Sequence, residues 1–121
     1  LLSGKFGRDT RFEASDHRQF NRHGEAFDVG ETFAGVPYEV GLEAVERLRP
    51  LVPDGATMAQ LALRWILMDP AVTVVIPGAR TAEQATGNIA AAGLPALPQA
   101  TMEAVSRIYE ECIRPYVHQR W

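Results

Sequence analysis

At 121 residues the chain is long enough for one domain with a real core, and 46% apolar with 22% charged residues is ordinary for a soluble globular protein. A formal charge of −3 leaves no basic footprint for nucleic acid, and no stretch reaches the roughly 18 apolar residues of a membrane span. Cys112 is the only cysteine, which excludes an intramolecular disulfide and suits a reducing, cytoplasmic setting.

The chain opens on Leu rather than Met and shows no signal-peptide pattern, so either a segment precedes Leu1 or the sequence is part of a longer polypeptide. Leu1–Ser3 reads as the stub of a strand. Residues 7–35 have no helical period, carry Gly7, Gly24, Gly30 and Gly35, and mix charges of both signs. All five phenylalanines (Phe6, Phe12, Phe20, Phe27 and Phe33) fall in or beside this region. A disordered linker lacks such an aromatic load, so an ordered loop pinned by Phe side chains is expected. Loops of this length tend to be functional, and Phe20, Phe27 and Phe33 are candidates to shape an apolar mouth.

Tyr38, Leu42, Val45, Leu48 and Val52 approximate one stripe and predict a helix over about 37–51, with Pro37 in its first turn and Pro50 and Pro53 at its end. Thr57-Met58-Ala59-Gln60 has the form of a capping box and opens a helix over 57–68, closed by Asp69-Pro70. Met58, Trp65 and Met68 are read as core. Val72–Ile76 is a continuous β-branched run, predicted as a buried parallel strand over 72–76 that Pro77 stops. Thr81-Ala82-Glu83-Gln84 is a second capping-box pattern, predicting a helix over 82–92 with Thr81 as N-cap, Gly87 in its interior and Gly93 just past its end.

Arg80 stands one residue before that cap. Free N–H groups at a helix start attract anions, so a phosphate site is one reading of 71–88 and an ordinary strand-to-helix connection is the other. A last helix is predicted over 99–113, stopped by Pro115. The fold class is therefore α/β, predominantly helical, with about four helices, one full strand and one strand stub. A lone strand cannot satisfy its own backbone groups, so its sheet is expected in a missing N-terminal part or in another chain. His17, His23 and His118 have no metal-ligand spacing with Cys112 or the carboxylates, and no metal is expected.

Three motifs then carry a resemblance. Leu1-Leu2-Ser3-Gly4-Lys5-Phe6, Ala59-Gln60-Leu61-Ala62-Leu63-Arg64-Trp65, and Val75-Ile76-Pro77-Gly78-Ala79-Arg80 with Glu83-Gln84 and Asn88 resemble the C-terminal third of the aldo-keto reductases. Asp16-His17-Arg18, Phe20-Asn21-Arg22 and Gly30-Glu31-Thr32-Phe33 are similar to one bacterial branch of that family. The resemblance runs through the whole chain and implies that 1–121 is the C-terminal part of a single (β/α)₈ TIM-barrel domain, a fold of about 250 residues. It also implies NADPH-dependent hydride transfer to or from an aldehyde or ketone.

The family's catalytic Tyr, Lys, His and Asp belong to the first half of the barrel, so no catalytic residue is expected here. What carries over is cofactor binding. Leu2, Ser3, Gly4 and Lys5 match the segment laid against the pyrophosphate, and Gly78, Ala79, Arg80 and Thr81 match the segment gripping the adenosine 2′-phosphate. Gln84 and Asn88, one turn apart, match positions around that phosphate and the adenine edge. Gly87 departs from the pattern, since many members place there a Glu that braces a loop over the cofactor; looser cofactor binding is the expectation. The alternative is a non-catalytic half-barrel module that pairs with itself or with a separate N-terminal half.

Overall fold

The computed structural model describes residues 1–120. In chain order its helices are α1 (His17–Phe20), α2 (Tyr38–Leu48), α3 (Met58–Leu67), α4 (Ala82–Ala90), α5 (Gln99–Ile108) and α6 (Arg114–Val117). Short 3₁₀ turns extend α2 through Arg49–Leu51 and α4 through Ala91–Gly93, and a π turn at Tyr109–Ile113 joins α5 to α6.

Local chemistry explains the helix starts. Thr57 Oγ1 accepts from the Gln60 N–H at 3.2 Å, and Gln60 Oε1 accepts from the Thr57 N–H at 2.9 Å. This is the complete reciprocal box that the T-x-x-Q spacing predicts. At α4 Thr81 Oγ1 accepts from the Gln84 N–H at 3.2 Å, but the Gln84 side chain reaches one residue further out, to the Arg80 N–H at 2.8 Å. The second box is therefore shifted by one residue.

Two apolar clusters hold the helices together. Val45, Met58, Leu61 and Leu97 form one, and Ala44, Ile108 and Cys112 the other. Leu48 and Leu51 pack against both, so the end of α2 joins the α3 side of the core to the α5 side. Leu61 is 2% exposed and sits on the inner face of α3. Cys112 is a buried free thiol packed with Ala44 and Ile108. Trp65, expected in the core, is 39% exposed and walls an open cleft instead.

The strand expected over 72–76 does not form among the described residues. Its only backbone hydrogen bond there runs from the Val72 N–H to the Asp69 carbonyl at 3.0 Å, which closes a turn after α3. A strand exists only as a ladder, and no described segment offers one. Leu1–Ser3 is likewise not a stub of sheet: the Gly4 N–H donates to the Leu1 carbonyl at 2.9 Å and closes a turn. Val74 and Ile76 are left 66% and 90% exposed, so the β-branched run is apolar but uncovered.

Three smaller expectations also change. Residues 7–35 contain three short helical turns, α1 and 3₁₀ turns at Val29–Glu31 and Phe33–Gly35; the Asp16 side chain caps α1 by accepting from the Arg18 N–H at 2.9 Å. Pro115 does not end the last helix; it lies in the first turn of α6, directly after the π turn. Gly93 has no positive φ and closes a 3₁₀ turn rather than a left-handed cap.

Candidate cofactor site

One segment singled out for cofactor contact, and the helix that follows the other, meet the same helix. Gly4 adopts φ +70°, a conformation that favours glycine, and packs on the Met58 side chain in the first turn of α3. In the same turn, Gln60 Nε2 donates to the Gly87 carbonyl of α4 at 3.0 Å. One side chain thus closes the α3 capping box and ties α4 to it. The start of α3 is the common anchor of the Leu2–Lys5 segment and the helix that follows Gly78–Thr81.

Around α4 the structure brings four of the expected residues into one hydrogen-bonded turn. Gln84 Oε1 holds the Arg80 N–H, and Asn88 Nδ2 donates to the Gly78 carbonyl at 3.3 Å. Gln84 and Asn88, on one face at i and i+4, therefore clasp the turn from both ends. Gly78 and Ala79 are exposed, and nothing lies within 4 Å of where a side chain on Gly78 would project. Arg80 is exposed, and its guanidinium forms no ion pair among the described residues. Glu83 is the acidic residue of the first turn of α4. Ala79 and Asn88 border an open groove of about 420 Å³ between α3, α4 and the 73–77 run.

The remaining expected residues are Leu2, Ser3 and Lys5. All three are exposed; Leu2 borders a separate apolar cleft of about 360 Å³ with Leu48, Met58, Leu61, Trp65 and Val105. Lys5 forms no ion pair among the described residues. The donor set fits a phosphorylated dinucleotide: an unpaired guanidinium at a capped helix start, open backbone at Gly78, and an unpaired ammonium beside a glycine turn. Among the described residues no group of three or more His, Cys, Asp or Glu side chains is placed to hold a metal ion.

Sequence reasoning missed the hub that shapes the 7–35 loop. Asn21 is fully buried; its Oδ1 accepts from the Ala26 N–H at 2.8 Å and the Phe27 N–H at 2.9 Å, and its Nδ2 donates to Thr32 Oγ1 at 3.2 Å. Thr32 Oγ1 also lies 3.3 Å from His17 Nδ1. The next two residues, Phe33 and Ala34, have φ of 51° and 56°, a left-handed conformation costing about 1 kcal/mol or more each for a residue with a Cβ. Such backbone persists only where its surroundings over-determine it.

Here those surroundings are the Thr32 hub and an aromatic cluster. Phe12 meets Phe6 at 5.4 Å and Phe33 and Tyr38 at 6.0 Å each, and Phe33 meets Tyr38 at 5.0 Å. Phe20 and Phe27 form a separate edge-to-face pair and stay about 40% exposed, at 43% and 42%. Two arginines lie over the cluster: Arg18 above Phe6 and Phe12, Arg22 above Phe12 and Tyr38. Arg18 is forked onto the Asp16 carboxylate, which holds the Asp16 pKa down to about 2 through those hydrogen bonds.

This geometry presents exposed backbone and two cationic side chains on loops beside helix starts. The aldo/keto reductase family model matches residues 1–110, and the chain belongs to that family. Over 92 residues it is 33% identical to the L-glyceraldehyde 3-phosphate reductase of Escherichia coli O157:H7. That match covers 75% of this chain and 25% of the relative, so the chain spans about a quarter of the curated relative it matches. No solved structure matches the chain significantly.

Proposed function

We propose that this chain is the cofactor-gripping C-terminal portion of an oxidoreductase barrel that passes hydride between NADPH and an aldehyde or ketone. Family membership supports the oxidoreductase class, and the Arg80 turn carries the choice of NADPH. When bound, the cofactor supplies the hydride; the protein supplies its position. Arg80 forks onto the 2′-phosphate, Gly78 and Ala79 let it approach the backbone, and Gln84 and Asn88 keep the turn from relaxing. Leu2, Ser3, Gly4 and Lys5 lie along the pyrophosphate. The catalytic acid and its assistants, and the sheet that Val72–Ile76 joins, belong to the N-terminal half of the barrel. The relative is named for a phosphorylated aldehyde, and we carry that substrate class over to the whole enzyme. A cytoplasmic setting accords with the lone thiol; among the described residues no helix is long and apolar enough to cross a membrane.

Titrating the full-length protein with NADPH and NADH tests the reading. Arg80→Ala is expected to weaken NADPH by about tenfold to a hundredfold, the worth of one charge-assisted contact, and to leave NADH within about twofold. An unchanged NADPH preference would remove Arg80 from the site.

A second reading rests on Val74 and Ile76, which are 66% and 90% exposed along one apolar edge. In it the chain is a non-catalytic half-barrel that pairs with a copy of itself or a separately encoded first half. Sedimentation of the protein alone, and of the Ile76→Lys variant, decides this: a dimer that the charge disperses favours pairing, and a monomer in both excludes self-pairing.

A further inference from the structure

Helix α4 has a thin hold on the rest of the chain. None of its residues is fully buried, and Ile89, its largest apolar side chain, is 75% exposed. Among the described residues one hydrogen bond reaches it from outside 78–94, the donation from Gln60 Nε2 to the Gly87 carbonyl at 3.0 Å. A regular α-helix would direct the Ala91 N–H to that carbonyl. Here the Ala91 N–H turns to the Asn88 carbonyl as α4 tightens into its 3₁₀ end, and Gln60 supplies Gly87 with a donor.

The bond falls where it governs the turn in front of α4. Gly87 lies between Gln84 and Asn88, the two side chains that hold the Arg80 N–H and the Gly78 carbonyl. Fixing that one carbonyl places both clasps. Arg64 and Met68 follow Gln60 on the same face of α3, at i+4 and i+8. Arg64 Nε donates to the Pro95 carbonyl at 3.2 Å, and Met68 Sδ accepts from the Leu97 N–H at 3.1 Å. Those two contacts hold the chain beyond α4; Gln60 holds α4 itself. Closing the capping box accounts for Gln60 Oε1. It does not account for Nε2.

We infer that Gln60 is a positioning residue for the cofactor grip. Its Nε2 bond keeps α4 where Arg80 meets the 2′-phosphate, and so sets the preference for NADPH over NADH from a residue that touches neither. The identity of the ligand rests on the function proposed above; the hold on α4 rests on the Gln60 geometry.

Titrating the full-length protein with NADPH and NADH in three variants tests this. Gln60→Glu keeps an acceptor for the Thr57 N–H, because Glu closes a capping box as Gln does, but it has no donor for Gly87. Gln60→Met loses both bonds without adding charge. Thr57→Ala removes the hydroxyl of the cap and leaves the bridge in place. The ratio of NADPH to NADH affinity is expected to fall about threefold to tenfold in both Gln60 variants, the worth of one neutral hydrogen bond. In Thr57→Ala it stays within about twofold, although the urea midpoint drops. Amide hydrogen exchange over 82–90 quickens by a similar factor in Gln60→Glu while 58–67 holds. A purely structural role would lower the midpoint and leave the ratio alone. An unchanged ratio in a folded Gln60 variant, a fall in Gln60→Glu that Gln60→Met does not share, or an equal fall in Thr57→Ala overturns the inference. If Gln60→Glu does not fold, Gln60→Met against Thr57→Ala decides. Arg80→Ala separates the two readings: if it shifts the ratio and the Gln60 variants do not, the inference alone falls, and if it leaves the ratio unchanged, the NADPH grip falls and the inference with it.

Discussion

Asn21 shows how one side chain organises a long loop. A carboxamide has an acceptor and two donors, and burial obliges it to use them. Here it closes two backbone N–H groups five and six residues ahead and grips Thr32, eleven residues on. Asp16 works nearby, capping α1 and clamping Arg18. Its pKa falls from an ordinary 3.8 to about 2, chiefly because the Arg18 side chain donates to the ionised form. A carboxylate whose folded pKa is depressed stabilises the fold above its unfolded pKa and loses that contribution as pH falls through the folded value. The Arg18 Nε–Hε signal is therefore expected to hold from neutrality to about pH 4 and to move to a free-guanidinium position as pH falls through about 2. In Asp16→Asn it already sits at the free position at pH 7. A transition centred near 4 in the unsubstituted protein would show that the clamp is absent.

At the scale of elements, α3 is the organiser. Its capping box begins it, its inner face supplies Met58 and Leu61 to the core, and its Gln60 reaches the Gly87 carbonyl of α4. Gly87 weakens α4 without any visible return inside the chain: it has no positive φ, and a Cβ there meets nothing within 4 Å. Gly87→Ala is expected to raise stability by about 0.5–1 kcal/mol, the helix-propensity difference, read as a higher urea midpoint with unchanged slope. A fall in the midpoint would mean that the space beside Gly87 is filled in the working protein. The left-handed pair Phe33–Ala34 belongs to this scale too, since the turn is set by the elements on either side, the Thr32 hub and Tyr38 of α2.

Across the whole molecule, the core is small and divided. Leu48 and Leu51 link the α3 cluster to the α5 cluster, while the apolar cleft by Trp65 and the groove along 73–77 stay open. Leu61, the most buried member of its cluster, has neighbours that partly face solvent and collapse easily. Leu61→Ala is therefore expected near the lower end of the range for such truncations, about 2–3 kcal/mol, by urea unfolding. A loss above about 4 kcal/mol would indicate a rigid cavity and a tighter core than two open clefts allow.

Some of this was legible in the residues alone. Thr57 and Gln60 form a box because both partners lie within four residues, and the ordered loop follows from its phenylalanines, which do cluster. The family was legible for the same reason: Ser3-Gly4-Lys5 and Gly78-Ala79-Arg80 are short local patterns. The clasp of Gly78 by Asn88, the burial of Asn21 and the bridge from Gln60 to Gly87 were not, because each depends on partners that only the fold brings near. The Val72–Ile76 run marks the boundary most clearly. Its composition determined that it is apolar and extended in preference, but a strand is a relation between segments, and pairing is decided by what lies beside it.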